Sequence, residues 1–432
     1  MPLLFERVFV VIALLLYSGA IGPFIGDTNR LAPVKEACAI AGVGIVLLLL
    51  LPQWKRALFI ASRDKLLWIL VGFTLISFAW SDYPSVTISN VMPILRITLF
   101  GLYFATRYTI SQQMRWLAWA FALGAFLSLV IAIAFPFYGV MGHGLVITME
   151  LVKHSGVWRG AYIHKTALGS IMAMGVLTFI FHAVQARGYQ RAVMWAGVAF
   201  CAALLMMSTT KAALLIVFIA LCLIPFYRAL RWNGSLAIPF FIIVLLIVGS
   251  AAVIFVANAD QILGAFGRDI TFSGRTRYWP LMIAKALQRP WFGYGFGTFW
   301  HGGWKGEPAD IWRFLADGDE PPHAHNGFIS VWLSIGAIGL FIFALGYLVN
   351  WLRSIQWARR VHTAEGLVPL TVLTLVLLFN LTEAALMEPD IIWLFYVSTT
   401  LSMHNRFTKL STSEGISKVE TTDQECSKVI IY

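Results

Sequence analysis

Long apolar runs broken by short polar turns dominate the chain, at a spacing no soluble fold needs. Runs of about 20 apolar residues match the hydrocarbon thickness of a bilayer. They predict about twelve membrane-spanning helices, at roughly 8–25, 33–51, 66–80, 86–105, 116–137, 167–184, 192–208, 211–227, 236–257, 327–350, 367–386 and 389–404. The third and twelfth are short. No clear small-residue cleavage site follows the first run and further spans do, so it reads as a membrane helix rather than a removed signal peptide. The fold class expected is all-α and polytopic, with residues 1–404 as one membrane domain. Inside it, residues 258–325 form one long loop. The polar stretch 405–432, rich in Ser, Thr and Lys, reads as a disordered tail.

Composition agrees. The chain is 59% hydrophobic and 12% charged, about half the charged fraction of a soluble domain. Its net charge of +11 is no nucleic-acid signal, because most of the excess sits in alternate short loops. Lys55, Arg56, Arg63 and Lys65 lie in one, Arg107 and Arg115 in the next, then Arg187 and Arg191, Arg228 and Arg231, Arg353, Arg359 and Arg360, and finally Arg406 and Lys409. The positive-inside rule puts these loops and both termini in the cytoplasm of a bacterial cell, and the long loop in the periplasm. That loop balances seven Lys/Arg against seven Asp/Glu and holds five tryptophans. Its length suggests a folded functional element, with helical spacing over Arg277–Leu287. The four cysteines, Cys38, Cys201, Cys222 and Cys426, have no ligand or disulfide spacing.

Four polar clusters on the outer side could carry chemistry. Pro322-His323-Ala324-His325-Asn326-Gly327 stands where the long loop re-enters the membrane. A histidine there can act as a base near neutral pH, and Asn326 can orient a sugar hydroxyl; a plain helix start is the simpler reading. Nine residues on, Gly336 and Gly339 would let a neighbouring helix approach. His-x-His is also a metal pair, but no third ligand has a recognisable spacing, so no metal is expected. The turn Ser208-Thr209-Thr210-Lys211 places a lysine against the orientation bias. In Ser273-Gly274-Arg275-Thr276-Arg277-Tyr278-Trp279, two arginines offer forked donors suited to phosphate. Trp158-Arg159-Gly160 and His164-Lys165-Thr166-Ala167-Leu168-Gly169 add Arg159 and Lys165. Arg96 and Glu383 are ionisable residues within or at the end of apolar runs, and such residues are functional candidates. Gly293-Tyr294-Gly295-Phe296-Gly297 lacks the strand–helix setting of a dinucleotide site, and Asp317-Gly318-Asp319 reads as an exposed acidic turn. No P-loop is present, and no nucleotide or other cofactor is expected.

On these residues the chain resembles the O-antigen ligase / O-antigen polymerase superfamily, and within it the ExoQ-type exopolysaccharide polymerisation proteins. The ligase pattern, His followed by Asn, Ser or Gln, nine residues, then Gly-x-x-Gly, is met by His325-Asn326 and Gly336 to Gly339. The family's Arg-x-x-x-Leu falls on Lys211 to Leu215, with Lys for Arg. Gly274-Arg275 with Trp279, then Pro290 and Gly293-Tyr294-Gly295, follows the long-loop pattern. His164 to Gly169 matches with Thr for Asn, and Trp80-Ser81 and Asn380 to Glu383 also fit. The resemblance runs from about Trp80 to Trp393. It implies a membrane glycosyltransferase of the GT-C type, taking a glycan from polyprenyl diphosphate at the periplasmic face without nucleotide or metal, with inversion. His325 would be the general base. Lys211 and Arg275 would hold the diphosphate, and Lys165, Arg159, Arg277, His323, Asn326, Trp279 and Glu383 would contact substrate. The partners implied are the lipid-linked glycan, membrane lipids and other polysaccharide assembly proteins. Three rivals stand beside a polymerase: a ligase that uses lipid A–core as acceptor, a twelve-span transporter, whose two halves should be related, and a non-catalytic assembly partner. No related halves are visible.

The orientation is directly testable. A cysteine at Gly303 should react with an impermeant thiol reagent in cells whose outer membrane alone is permeabilised. Labelling only after lysis would reverse the topology.

Overall fold

A computed structural model describes residues 2–20, 32–142, 155–232, 275–315 and 323–404, with residues 236, 239 and 321. Among these, helices dominate: α1 Pro2–Ser18, α2 Ala32–Leu50, α3 Trp54–Ala61, α4 Lys65–Ile76, α5 Pro84–Arg107, α6 Ile110–Ala134, α7 Pro136–Gly139, α8 Lys165–Gln185, α9 Gly188–Met207, α10 Lys211–Ala229, α11 Arg275–Gln288, α12 Ala309–Leu315, α13 Gly327–Arg360, α14 Val368–Thr382 and α15 Ile391–Ser402. The all-helical, polytopic expectation holds. Eight helices of the described residues are long and apolar enough to cross a membrane, and Lys65–Ala79 and Ile391–Ser402 are shorter apolar helices. The expected span at 236–257, residues 258–274 and the tail 405–432 lie outside the described residues, as does Asp317-Gly318-Asp319.

Two stretches differ from the expectation. The helix α2 ends at Leu50, as expected, but a short 3-10 turn at Leu51–Gln53 leads straight into α3, so Lys55 and Arg56 are helical rather than in a loop. The run expected at 327–350 continues to Arg360, carrying its last turns beyond the apolar stretch. Helix starts follow side-chain chemistry. Asp64 caps α4 by accepting from the Leu67 N–H, Thr109 and Gln112 form a reciprocal capping box on α6, and Asp390 accepts from the Ile392 and Trp393 N–H groups to cap α15.

Close packing rests on small residues. A Cβ at Gly101 would stand 2.6 Å from Val397 Cγ1, and one at Gly197 would meet Phe179 at 2.6 Å, so α5–α15 and α8–α9 approach nearer than larger residues allow. At the basic end, Glu6 accepts from Arg107 at 2.7 Å and Tyr103 at 2.8 Å. Arg231 donates to the carbonyls of Ala358, Val361, His362 and Thr363, fastening α10 to the end of α13. Arg96, inside α5, pairs with Glu36 of α2.

The opposite end is built differently. The helices α4 and α15 have 12 residues each, roughly 18 Å at 1.5 Å per residue, against ~30 Å of hydrocarbon. Irregular backbone fills the remainder. The helix α13 breaks at Ile335 and Gly336, whose φ is +69°. There the Pro290–Gly295 segment supplies the missing partners. Ala337 N–H donates to Pro290 O at 2.7 Å, Ile338 N–H to Trp291 O at 3.2 Å, Tyr294 N–H to Leu333 O at 2.8 Å and Gly295 N–H to Ser334 O at 3.0 Å. Gly336 therefore serves a backbone-to-backbone seam, not the helix–helix contact expected of it: a Cβ there would sit 2.1 Å from Trp291 O. Gly339 faces its own Ile335. The seam is anchored by Trp80 Nε1–H to Phe292 O at 2.8 Å, Phe296 N–H to Ser77 Oγ at 3.2 Å and Asn90 to Gly297 O at 3.1 Å. Behind it lies a second small core of Tyr278, Met282, Tyr294, Phe299, Ile311 and Leu333.

Gly336→Ala combines a left-handed backbone, costing ~1–3 kcal/mol for a residue with a side chain, with a clash against the Trp291 carbonyl. It should lower the melting temperature in detergent by several degrees. Gly44→Ala, with nothing within 4 Å, should leave it unchanged.

Candidate functional site

The irregular end gathers the polar residues picked from the sequence. The helix α13 starts at Gly327 because Asn326 accepts from the N–H groups of Phe328 at 3.0 Å and Ile329 at 3.1 Å. The helix start is thus capped by Asn326 rather than by either histidine. Gly327 is required for another reason: a Cβ there would stand 2.0 Å from Asn380 Oδ1. Asn380 in turn accepts from Ala385 N–H at 3.0 Å and so shapes the turn that carries Glu383.

These two turns bring His325 and Glu383 together, 58 positions apart in the chain. His325 Nδ1 lies 3.1 Å from Glu383 Oε2, and Arg275 Nη2 lies 3.4 Å from Glu383 Oε1. Burial pushes the Glu383 carboxyl up. The hydrogen bond from His325 and the charge of Arg275 outweigh it and hold the group below the usual carboxylate range. An ionised carboxylate can only accept, so the Nδ1 proton belongs to His325, and in the neutral imidazole Nε2 is then the acceptor. His325 has φ +47°, uncommon for a residue with a side chain. His323 supports that conformation, since its Nδ1 accepts from the His325 backbone N–H at 3.2 Å and the two rings lie 4.0 Å apart. Burial, then the charge of His325, depresses the His323 pKa to about 4, so His323 is neutral at pH 7 with its proton on Nε2.

The other selected residues fall into three placements. His164 lies within electrostatic reach of His323 and caps α8 through Thr166 N–H. Thr210 Oγ1 donates to Lys165 O at 3.1 Å, so the first turns of α8 and α10, bearing Lys165 and Lys211, stand side by side near the histidine pair. Arg159 is engaged by the fold: its guanidinium covers the Tyr138 ring at 4.6 Å and donates to the carbonyls of Tyr138 and Ile163. Trp279 donates its indole N–H to Ala324 O at 2.9 Å and packs on the second core, tying α11 to the His323–Asn326 strap. Arg277 projects from the exposed side of the same helix.

Sequence spacing offers His-x-His no third ligand, but the fold supplies one. His323, His325 and Glu383 present ligand atoms all within 4.8 Å of one another, which corrects the reason for expecting no metal. Binding an ion at all three would break the His325–Glu383 bond or remove the His323 Nε2 proton, beside the Arg275 guanidinium. As built, the cluster suits proton transfer and anion contact better than a cation. Two carboxyls were not singled out from the sequence. Asp390, half-buried, is raised to about 7 against its bonds from the Trp393 and Ile392 N–H groups, and Glu388 stands two residues before it with its side chain exposed. The acidic Glu388-Pro389-Asp390 directly before an apolar run was the available signal.

Two comparisons bear on these residues. Residues 196–344 match the family model described as O-Antigen ligase, a stretch that includes Lys211, Arg275, His325 and the Gly336 break. The chain is also 28% identical over 321 residues to the exopolysaccharide production protein ExoQ of Rhizobium meliloti (strain 1021), covering 72% of this chain and 69% of that protein. The resemblance read from the motifs is thus met at both family and protein level.

The depressed Glu383 sets a pH signature. Its contribution to stability is present above the ordinary carboxylate pKa and is lost as pH falls through the lower, folded value. Melting curves from pH 7 to 3 should show a larger acid-side loss for the wild type than for Glu383→Gln. Superimposable curves would refute the ion contacts.

Proposed function

We propose that the protein is a membrane glycosyltransferase that polymerises polyprenyl-diphosphate-linked oligosaccharide repeats at the periplasmic face of the inner membrane, in exopolysaccharide biosynthesis. One observation carries the reading: the His325–Glu383–Arg275 cluster, in which a carboxylate fixes a histidine with its Nε2 free, beside a guanidinium. In this mechanism the acceptor hydroxyl gives its proton to His325 Nε2 and its oxygen attacks the anomeric carbon from the face opposite the diphosphate. The bond from that carbon to the diphosphate oxygen breaks, and the electron pair leaves with polyprenyl diphosphate. Inversion follows. Glu383 stabilises the imidazolium that forms, the role a carboxylate plays behind a catalytic histidine. Arg275 and Lys211 offset charge on the leaving group, with Lys165 and Arg277 as further cations for a second lipid diphosphate. The energy resides in the sugar–diphosphate bond, so the residues need neither nucleotide nor metal. Similarity to ExoQ favours chain extension.

The family description O-Antigen ligase favours a second reading, in which the acceptor is lipid A–core. The two share a donor and differ in acceptor. Purified protein given only lipid-linked repeats should make longer lipid-linked chains. Product formed only when lipid A–core is added would replace the polymerase reading with the ligase one. His325→Ala should lower transfer by roughly 10²–10⁴-fold at normal protein level, and Lys211→Arg should retain activity where Lys211→Glu loses it. Full activity in His325→Ala would leave the histidine as a loop residue only.

A further inference from the structure

A second recess lies at the basic end, away from the histidine cluster. It is a narrow crevice, part of it open to the outside, among α6, α8, α10, α14 and α15. Its walls are apolar, from Met174 and Leu177 deep in the bundle to Val184 at the mouth. Along α8 these residues cover ten positions, ~15 Å at 1.5 Å per residue, or half the hydrocarbon thickness. Arg228 is the charged residue of the lining. It is exposed in the last turn of α10, and no side-chain hydrogen bond or ion pair among the described residues engages it. Its neighbour Arg231 is by contrast fully used on four carbonyls of the α13 end. A second cation, Arg115, lies next to the lining residue Met114 and within electrostatic reach of His182. The nearby carboxylate, Glu365, accepts from Ser111 N–H at 3.2 Å.

We propose that this crevice is a binding site for an anionic phospholipid of the leaflet at the basic end, the cytoplasmic one by the positive-inside rule. One acyl chain fills the apolar slot, and the headgroup phosphate meets Arg228. An apolar slot of half-bilayer depth, opening at headgroup height on an unpaired guanidinium, matches the two ends of such a lipid. Basic pockets between membrane helices on the cytoplasmic side recognise anionic headgroups in this way.

The test uses the full chain in neutral detergent, titrated with dioleoyl phosphatidylglycerol or dioleoyl phosphatidylcholine, with bound lipid counted by native mass spectrometry. The wild type should retain phosphatidylglycerol in preference to phosphatidylcholine. Arg228→Gln should weaken phosphatidylglycerol binding roughly fivefold, the effect of one basic residue near a headgroup. Val184→Trp, at the exposed mouth, should reduce binding of either lipid without unfolding the bundle. Arg187→Gln, on the exposed α8–α9 turn, should bind as the wild type does. Equal retention of the two lipids, full binding by Arg228→Gln or Val184→Trp, or an equal loss in Arg187→Gln would overturn the site. Because the readout is lipid binding, its failure leaves the transfer reaction at the other end untouched.

Discussion

A backbone amide or carbonyl left unpaired in hydrocarbon costs several kcal/mol. Non-helical chain at membrane depth therefore exists only where protein or trapped water satisfies it. The seam between the α13 break and Pro290–Gly295 meets that condition with four backbone hydrogen bonds. It allows a helix to be interrupted and a loop to descend, and the turns bearing His325 and Glu383 are set beside it.

The glycines make this possible for two physical reasons. Gly293, Gly295 and Gly297 have φ of +69°, +95° and +68°, which glycine adopts without strain. Each also faces a neighbour too close for a Cβ: the Leu333 carbonyl, Ser81 and Asn90. The tripled glycines of the long loop thus fit a tight approach between backbones, and Trp80-Ser81, some 210 positions away, is the surface they approach. Two motifs that look unrelated along the chain are the two halves of one contact.

The all-α polytopic class and most helix positions were legible in the chain, because apolar length and alternate basic loops are one-dimensional signals. His325, Arg275 and Glu383 could each be singled out from local context. Their junction could not, since it depends on Asn380 shaping one turn and on the left-handed His325 shaping another. Arg159 shows the converse. An outer arginine in a polar turn looks like a phosphate ligand until the Tyr138 ring and carbonyl appear beneath it. Trp279 likewise reads as a platform for sugar, yet its indole N–H is a strut to Ala324.

The shortness of α15 bears on how the protein is made. A segment of 12 residues falls well below the ~20 that partition into a bilayer unaided, and the turn before it carries Glu383, Glu388 and Asp390. Such a segment has no stable place in lipid until other helices supply one. Its partners are specific: Trp393 donates to Thr98 of α5 at 3.0 Å, Val397 rests on Gly101, and Gln113 at the start of α6 donates to Ser402 at 2.8 Å. All of them are synthesised hundreds of residues earlier. Biogenesis of this wall is therefore ordered by the chain itself: α5 and α6 are inserted first, and α15 docks against them as a late step of assembly rather than crossing the membrane on its own.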